Sequence, residues 1–225
     1  MAIPTFVFTT RWRSLKLLSI YFKLLDTVTS FQYLGSVITD EGSKPAILSR
    51  IAQTTAALTR LKLVWNDRSI SLSSRIQLMR SLVTSICMYA CESWTLTAEH
   101  QRRIQTMEMR YYCKILRTSC KDNVTNEEVR AKIQQAVEPH EDLLTIVKRH
   151  KLQWYGHVSR SSGLAKTILQ GTVKGGRRQG GQRKRLKDNI REWTGLGFAK
   201  YQRAVENRGK WWKLVVKLKS SVVPQ

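Results

Sequence analysis

A mostly α-helical fold with one small β hairpin near its start is what three features of this 225-residue sequence predict. Apolar residues recur at three- and four-residue steps through most of residues 43–170, the period of a single buried helix face. One stretch, Phe31 to Thr39, is instead dense in aromatic and β-branched residues and closes on Asp40-Glu41-Gly42, as a hairpin bounded by turn residues would. Residues 171–185 read GTVKGGRRQGGQRKR, five glycines and six basic residues with one β-branched apolar side chain, which cannot bury a core and predicts a flexible linker.

These features divide the chain into an N-terminal segment (1–25), the hairpin (26–42), a helical region (43–170), the basic linker (171–185) and a tail of short helices (186–225). In the helical region, Ile47, Ile51, Ala52, Leu58, Leu61 and Val64 form the apolar face of a first helix, which Asn66-Asp67-Arg68 ends. A second helix is expected after Ser71, with Ile76, Met79, Leu82, Val83 and Ile86 inward. Thr97 is a suitable N-cap for a third, which carries Ile104, Met107, Tyr111, Ile115 and Leu116 inward and Arg102, Arg103, Arg110, Lys114 and Arg117 outward. Thr125-Asn126-Glu127-Glu128 is a capping-box pattern that starts a fourth. Pro139-His140-Glu141-Asp142 opens a fifth, whose Leu143, Leu144, Ile146, Val147, Leu152 and Tyr155 keep helical spacing to an expected stop at Gly156. Two helices are expected in the tail, Leu186 to Trp193 and Lys200 to Leu218, the second burying Val205, Trp212 and Val216.

The formal charge of +23 exceeds what solubility requires and implies a polyanionic partner, nucleic acid before membrane surface. That charge is uneven, +6 through Asp142 and +17 beyond it. Cys87, Cys91, Cys113 and Cys120 lie in helix-like segments without a disulfide framework, which predicts a reducing, intracellular setting. No run of about 18 apolar residues exists, so no membrane span is expected. Residues 1–25 carry Arg11, Arg13, Lys16 and Lys23 among apolar residues, and a targeting peptide is the lesser reading of them.

Two-metal nucleotidyl transfer needs converging carboxylates, and the six aspartates include no adjacent pair, so no catalytic residues are expected. Glu127-Glu128 and Glu141-Asp142 are read as complements to helix dipoles. Cys113, Cys120, His140, His150 and His157 are zinc-ligand types at unsuitable spacing, so neither metal nor cofactor is expected, and a zinc module built on Cys113, Cys120 and His157 is a minor alternative. The candidate nucleic-acid contacts are Lys174, Arg177, Arg178, Arg183, Lys184, Arg185, Lys187 and Arg191, a cationic run able to follow a phosphate backbone or to act in nuclear import. Lys148, Arg149, Lys151 and Trp154 join them, because cations beside aromatics suit base stacking. Trp154 or Tyr155 on an amphipathic helix is nevertheless more often core, and one of Trp211 and Trp212 is expected to pack while the other stays available.

Four ordered stretches resemble the end of RTE-type non-LTR retrotransposon polyproteins, which join an endonuclease to a reverse transcriptase. They are Thr29-Ser30-Phe31-Gln32-Tyr33-Leu34-Gly35-Ser36, Tyr89-Ala90-Cys91-Glu92-Ser93-Trp94-Thr95-Leu96, Lys151-Leu152-Gln153-Trp154-Tyr155-Gly156-His157-Val158, and Gly176-Arg177-Arg178 through Asp188-Asn189-Ile190. The resemblance implies that Phe31, Tyr33, Leu34 and Gly35 belong to a primer-grip-like hairpin and that the helices after it form a thumb-like bundle. It implies RNA or primer-template nucleic acid as partner, and a complete retrotransposon enzyme acting in trans as another. The family's catalytic aspartates and endonuclease lie upstream of the matching residues, so the chain is expected to bind without catalysing, in the nucleus with a cytoplasmic fraction. The alternative is a transposon-derived remnant with no selected role. Leu186 stands where the family has an aromatic.

Overall fold

The computed structural model describes residues 28–39, 42–137, 140–171 and 184–220. It is mostly helical with one antiparallel hairpin, as expected. Strands β1 (Ser30–Tyr33) and β2 (Ser36–Thr39) pair with Tyr33 opposite Ser36, so Leu34-Gly35 is a two-residue turn. Both turn residues have positive φ, 47° and 74°, the conformation that matches the right-handed twist of a hairpin.

Helix α1 (Lys44–Arg60) buries Ile47, Thr54 and Leu58, while Ala52, expected inward, is exposed. The helix breaks at Leu61, and the short α2 (Lys62–Asn66) turns Trp65 back so that its Nε1 donates to Leu58 O at 2.8 Å. Ser71 caps α3 (Leu72–Leu78), accepting from Ser74 N. A π-helical turn, Met79–Thr84, then leads into α4 (Ser85–Met88). The buried stripe runs Ile76, Met79, Val83, Cys87, and Leu82, expected inward, is half-exposed.

Helix α5 (Ala98–Leu116) starts at Thr97, whose side chain accepts from His100 N, and buries Ile104, Met107, Tyr111 and Ile115 as expected. The Thr125–Glu128 capping box opens α6 (Asn126–Ala136). Around α5 gathers a first core that includes Ile47, Trp65, Ile76, Val83, Ile133 and Val147.

Helix α7 (Leu143–Arg160) joins this core to a second one. It carries Leu143, Leu144 and Val147 into the first and Leu152 and Tyr155 into the second, with Ile190, Tyr201, Val205, Trp211 and Val215. Gly156 does not stop it. The helix runs one turn further because Gly156 is a packing position, with Trp211 lying against its bare Cα. After α8 (Leu164–Gln170), a short helix not expected from the sequence, residues 172–183 lie outside the described residues, as do most of the linker's cations.

The tail forms three helices rather than two: α9 (Leu186–Thr194), α10 (Phe198–Glu206) and α11 (Arg208–Ser220). Asn207, in extended backbone, splits the expected long helix, and its side chain accepts from Lys210 N. The break resets the helical phase. Trp211 and Val215 are therefore buried, and Trp212 and Val216, expected inward, face out. Among the described residues no helix is long and apolar enough to cross a membrane.

Candidate nucleic-acid interface

The hairpin turn is tied to the bundle by two long-range contacts. Tyr89 Oη donates to Leu34 O at 2.6 Å, and Arg50 Nη2 donates to Gly35 O at 2.6 Å. The Arg50 guanidinium also lies over the Tyr89 ring, 4.3 Å from its centroid, so the two clamps brace one another. Of the primer-grip-like residues, Tyr33 and Leu34 are left exposed at 57% and 72%, Phe31 is half-buried with its ring centroid 6.5 Å from that of Tyr33, and Gly35 is fixed by φ and by Arg50. Beneath the turn, α1 and α4 form an open groove lined by Arg50, Gln53, Ala57, Arg60, Ser85 and Tyr89. An exposed aromatic and aliphatic tip over a groove edged by arginines can meet both bases and phosphates. Arg50, Arg60 and Tyr89 were not expected in a site. Their signal, a basic residue and a tyrosine 39 positions apart, becomes visible only when α1 and α4 pack.

The α7 candidates divide. Lys151 is not an interface residue: it is fully buried, and its Nζ donates to the carbonyls of Glu92, at 2.7 Å, Trp94 and Cys91. It holds the 3₁₀ turn Cys91–Ser93, where Ala90 adopts φ 59° and Cys91 O also accepts from Trp94 N at 3.2 Å. Burial pulls its ammonium down to about 8. Arg149 is committed to Glu141 at 2.7 Å. Lys148 stands 5.8 Å from the Trp193 ring centroid, and burial holds it below the usual lysine range. Trp154, where the sequence favours core over stacking, is 36% exposed, whereas Tyr155 is fully buried.

At the start of α9, Asp188 accepts from Arg185 N at 2.7 Å, which orders the helix entry. Arg185 and Arg191 are exposed, Lys184 pairs with Glu192, and Lys187 donates to Gln170 O while lying 5.4 Å from the Phe198 ring centroid. The next residue, Asn189, is buried. Its Oδ1 accepts from Leu96 N and its Nδ2 donates to Leu96 O, both at 2.8 Å, reading one residue's backbone completely. The expected site residues Lys174, Arg177, Arg178 and Arg183 lie outside the described residues.

The acidic pairs have structural partners. Glu128 accepts from Thr125 N, Glu141 takes Arg149, and Asp142 stands at the α7 N-cap. Among the described residues two groups bring metal-ligand types together, Cys91 with Glu92 and His150, and Glu108 with His140 and Asp142; neither includes Cys113 or His157. Burial pushes the Cys91 thiol up to about 12, against the thiolate a metal needs. In the second group Arg80 Nη2 lies 2.8 Å from His140 Nδ1 and can only donate, so the imidazole proton sits on Nε2, towards Tyr112 Oη at 3.2 Å. A metal on Nε2 would need that proton on Nδ1, where Arg80 already points. Tyr112 Oη in turn donates to Glu108 Oε1 at 2.6 Å, which also accepts from Leu143 N at 2.7 Å. This is a buried hydrogen-bond chain that fixes the entry of α7 to α5.

Compared with known proteins, the chain matches no family model, no curated protein and no solved structure.

Proposed function

We propose that the chain is a non-catalytic nucleic-acid-binding fragment of non-LTR retrotransposon reverse-transcriptase origin, which binds RNA or a primer-template duplex through a braced hairpin and a basic arm. The observation that carries this reading is the turn itself: Tyr89 and Arg50 hold the backbone of Leu34-Gly35 while Tyr33 and Leu34 remain exposed above an arginine-edged groove. Fixing a turn so firmly while leaving its apolar side chains outside suits presentation to a ligand. The charge of +23 supplies the attraction, and Arg185 and Arg191 at α9 extend the cationic run Lys174, Arg177, Arg178 and Arg183. Nuclear import read from the same run, and action beside a complete retrotransposon enzyme, are the accompanying proposals.

The test is binding of the purified chain to a labelled primer-template duplex and an RNA hairpin across a salt series, with Arg177, Arg178, Arg183, Lys184 and Arg185 neutralised in parallel. Tight binding is expected, with a log–log salt slope that flattens by up to about 4 on neutralisation. Weak binding that neutralisation leaves unchanged would overturn the reading in favour of a remnant with no selected role.

A further inference from the structure

The outward face of α11 has no use in either core. Trp211 and Val215 turn inward, so Trp212 and Val216, one helical turn apart, stand at 54% and 43% exposure. A tryptophan ring left half in water is unusual for a side chain with so much apolar surface to bury. Its neighbours on the helix surface are Arg208, four residues earlier, and Gly209, three earlier. Gly209 puts no side chain beside the ring and has only the Asn207 side chain near its Cα, so the ring stays open on that side. Arg208 and Lys213 are exposed and make no ion pair among the described residues. From Phe198 to Leu218 the sequence holds six basic residues against the single acid Glu206.

We propose that this face is a stacking site for single-stranded nucleic acid, with Trp212 as the platform for a base and Arg208 and Lys213 as phosphate contacts. The proposal rests on the nucleic-acid reading above and adds to it a second site, for unpaired rather than duplex strands. A planar ring with Arg208 one turn before it and Lys213 next along the chain suits a base and the phosphates on either side of it. The apolar area is two side chains wide, too narrow for the continuous apolar face of a membrane-surface helix or the buried centre of a protein interface.

The experiment compares the full chain with Trp212→Ala, Trp212→Phe and the pair Arg208→Gln/Lys213→Gln in binding a labelled oligouridylate and a blunt RNA duplex across salt. Trp212→Ala is expected to weaken oligouridylate binding about tenfold or more with its salt slope unchanged, as loss of one stack would. Trp212→Phe keeps most of the affinity, and duplex binding stays within about twofold for both. The paired variant lowers the oligouridylate slope by about 1.4, two phosphates' worth. Because Trp212 is exposed, thermal unfolding of Trp212→Ala should match the parent. Oligouridylate binding that survives Trp212→Ala overturns the proposal, whether or not the variant also loses self-association in sedimentation or binding to anionic vesicles, either of which would assign the face to protein or lipid. If duplex binding remains strong in that case, the nucleic-acid reading stands and only this site falls.

Discussion

Trp211 lies against Gly156 so closely that a Cβ on residue 156 would come within 2.5 Å of two atoms of the indole ring. The ring cannot swing away cheaply, because it is buried and its Nε1 donates to Leu152 O at 2.8 Å. Alanine is the better helix former by up to about 1 kcal/mol, so propensity alone favours Gly156→Ala. The overlap decides the sign. Gly156→Ala is expected to destabilise the chain by about 1–3 kcal/mol in denaturant unfolding. Adding Trp211→Phe should recover part of that loss, and simple additivity of the two changes would contradict the contact.

Lys151 lends itself to a sharper test of role. If it held phosphate, replacing it would flatten the salt dependence of binding. Its ammonium is enclosed by three backbone carbonyls, so Lys151→Met takes the side-chain donor from the Glu92 and Trp94 carbonyls and leaves Cys91 O with Trp94 N alone. The expected result is a loss of about 3 kcal/mol or more in unfolding free energy, with the salt slope of nucleic-acid binding unchanged.

The fates of Gly156, Lys151 and Asn189 show what the sequence could reveal. Helices α1, α5 and α6 were legible because periodicity and caps are local, and Thr97 and Thr125 act as their residue types predict. Lys151 is hidden from the sequence because a cation in a basic stretch looks solvated until the Cys91–Ser93 turn is packed over it. Gly156 looked like a stop because its partner lies 55 residues further along the chain. Trp212 changed faces because a single extended residue, Asn207, shifts the helical phase. Three of the resembling stretches thus meet as structural joints: Lys151 under Cys91 to Trp94, and Asn189 on Leu96.

The Glu108 carboxyl carries a pH dependence. Burial, opposed by hydrogen bonds from Tyr112 and Leu143 N, raises it from 4.5 to about 7. Between those values the folded chain holds a proton that the unfolded chain has released, so the stability this group contributes is fully present below pH 4.5 and is lost as pH rises through 7. His140, held below its usual range by burial and Arg80, acts in the opposite sense up to about 6.5. Glu108→Gln keeps an acceptor for both donors and cannot ionise. Unfolding free energies across pH 4.5–7.5 should decline less steeply for Glu108→Gln than for the parent, by an amount on the order of 2 kcal/mol over the window. Parallel profiles would mean the carboxyl does not titrate there.

Leu34 holds φ 47°, which costs a leucine roughly 1 kcal/mol that asparagine largely avoids. Its carbonyl is fixed by Tyr89 Oη and its side chain is 72% exposed, so nothing in the fold requires leucine. Asn-Gly is the preferred pair for a turn of this type. Leu34→Asn is therefore expected to raise stability by about 0.5–1 kcal/mol. If the tip meets a nucleic acid, the same change removes an apolar contact and weakens duplex binding several-fold, and the salt slope stays as it was because no charge is altered. A variant both more stable and less able to bind would assign the strained leucine to recognition. One that is more stable and binds equally well would leave the hairpin a structural element and shift the interface wholly to the basic arm.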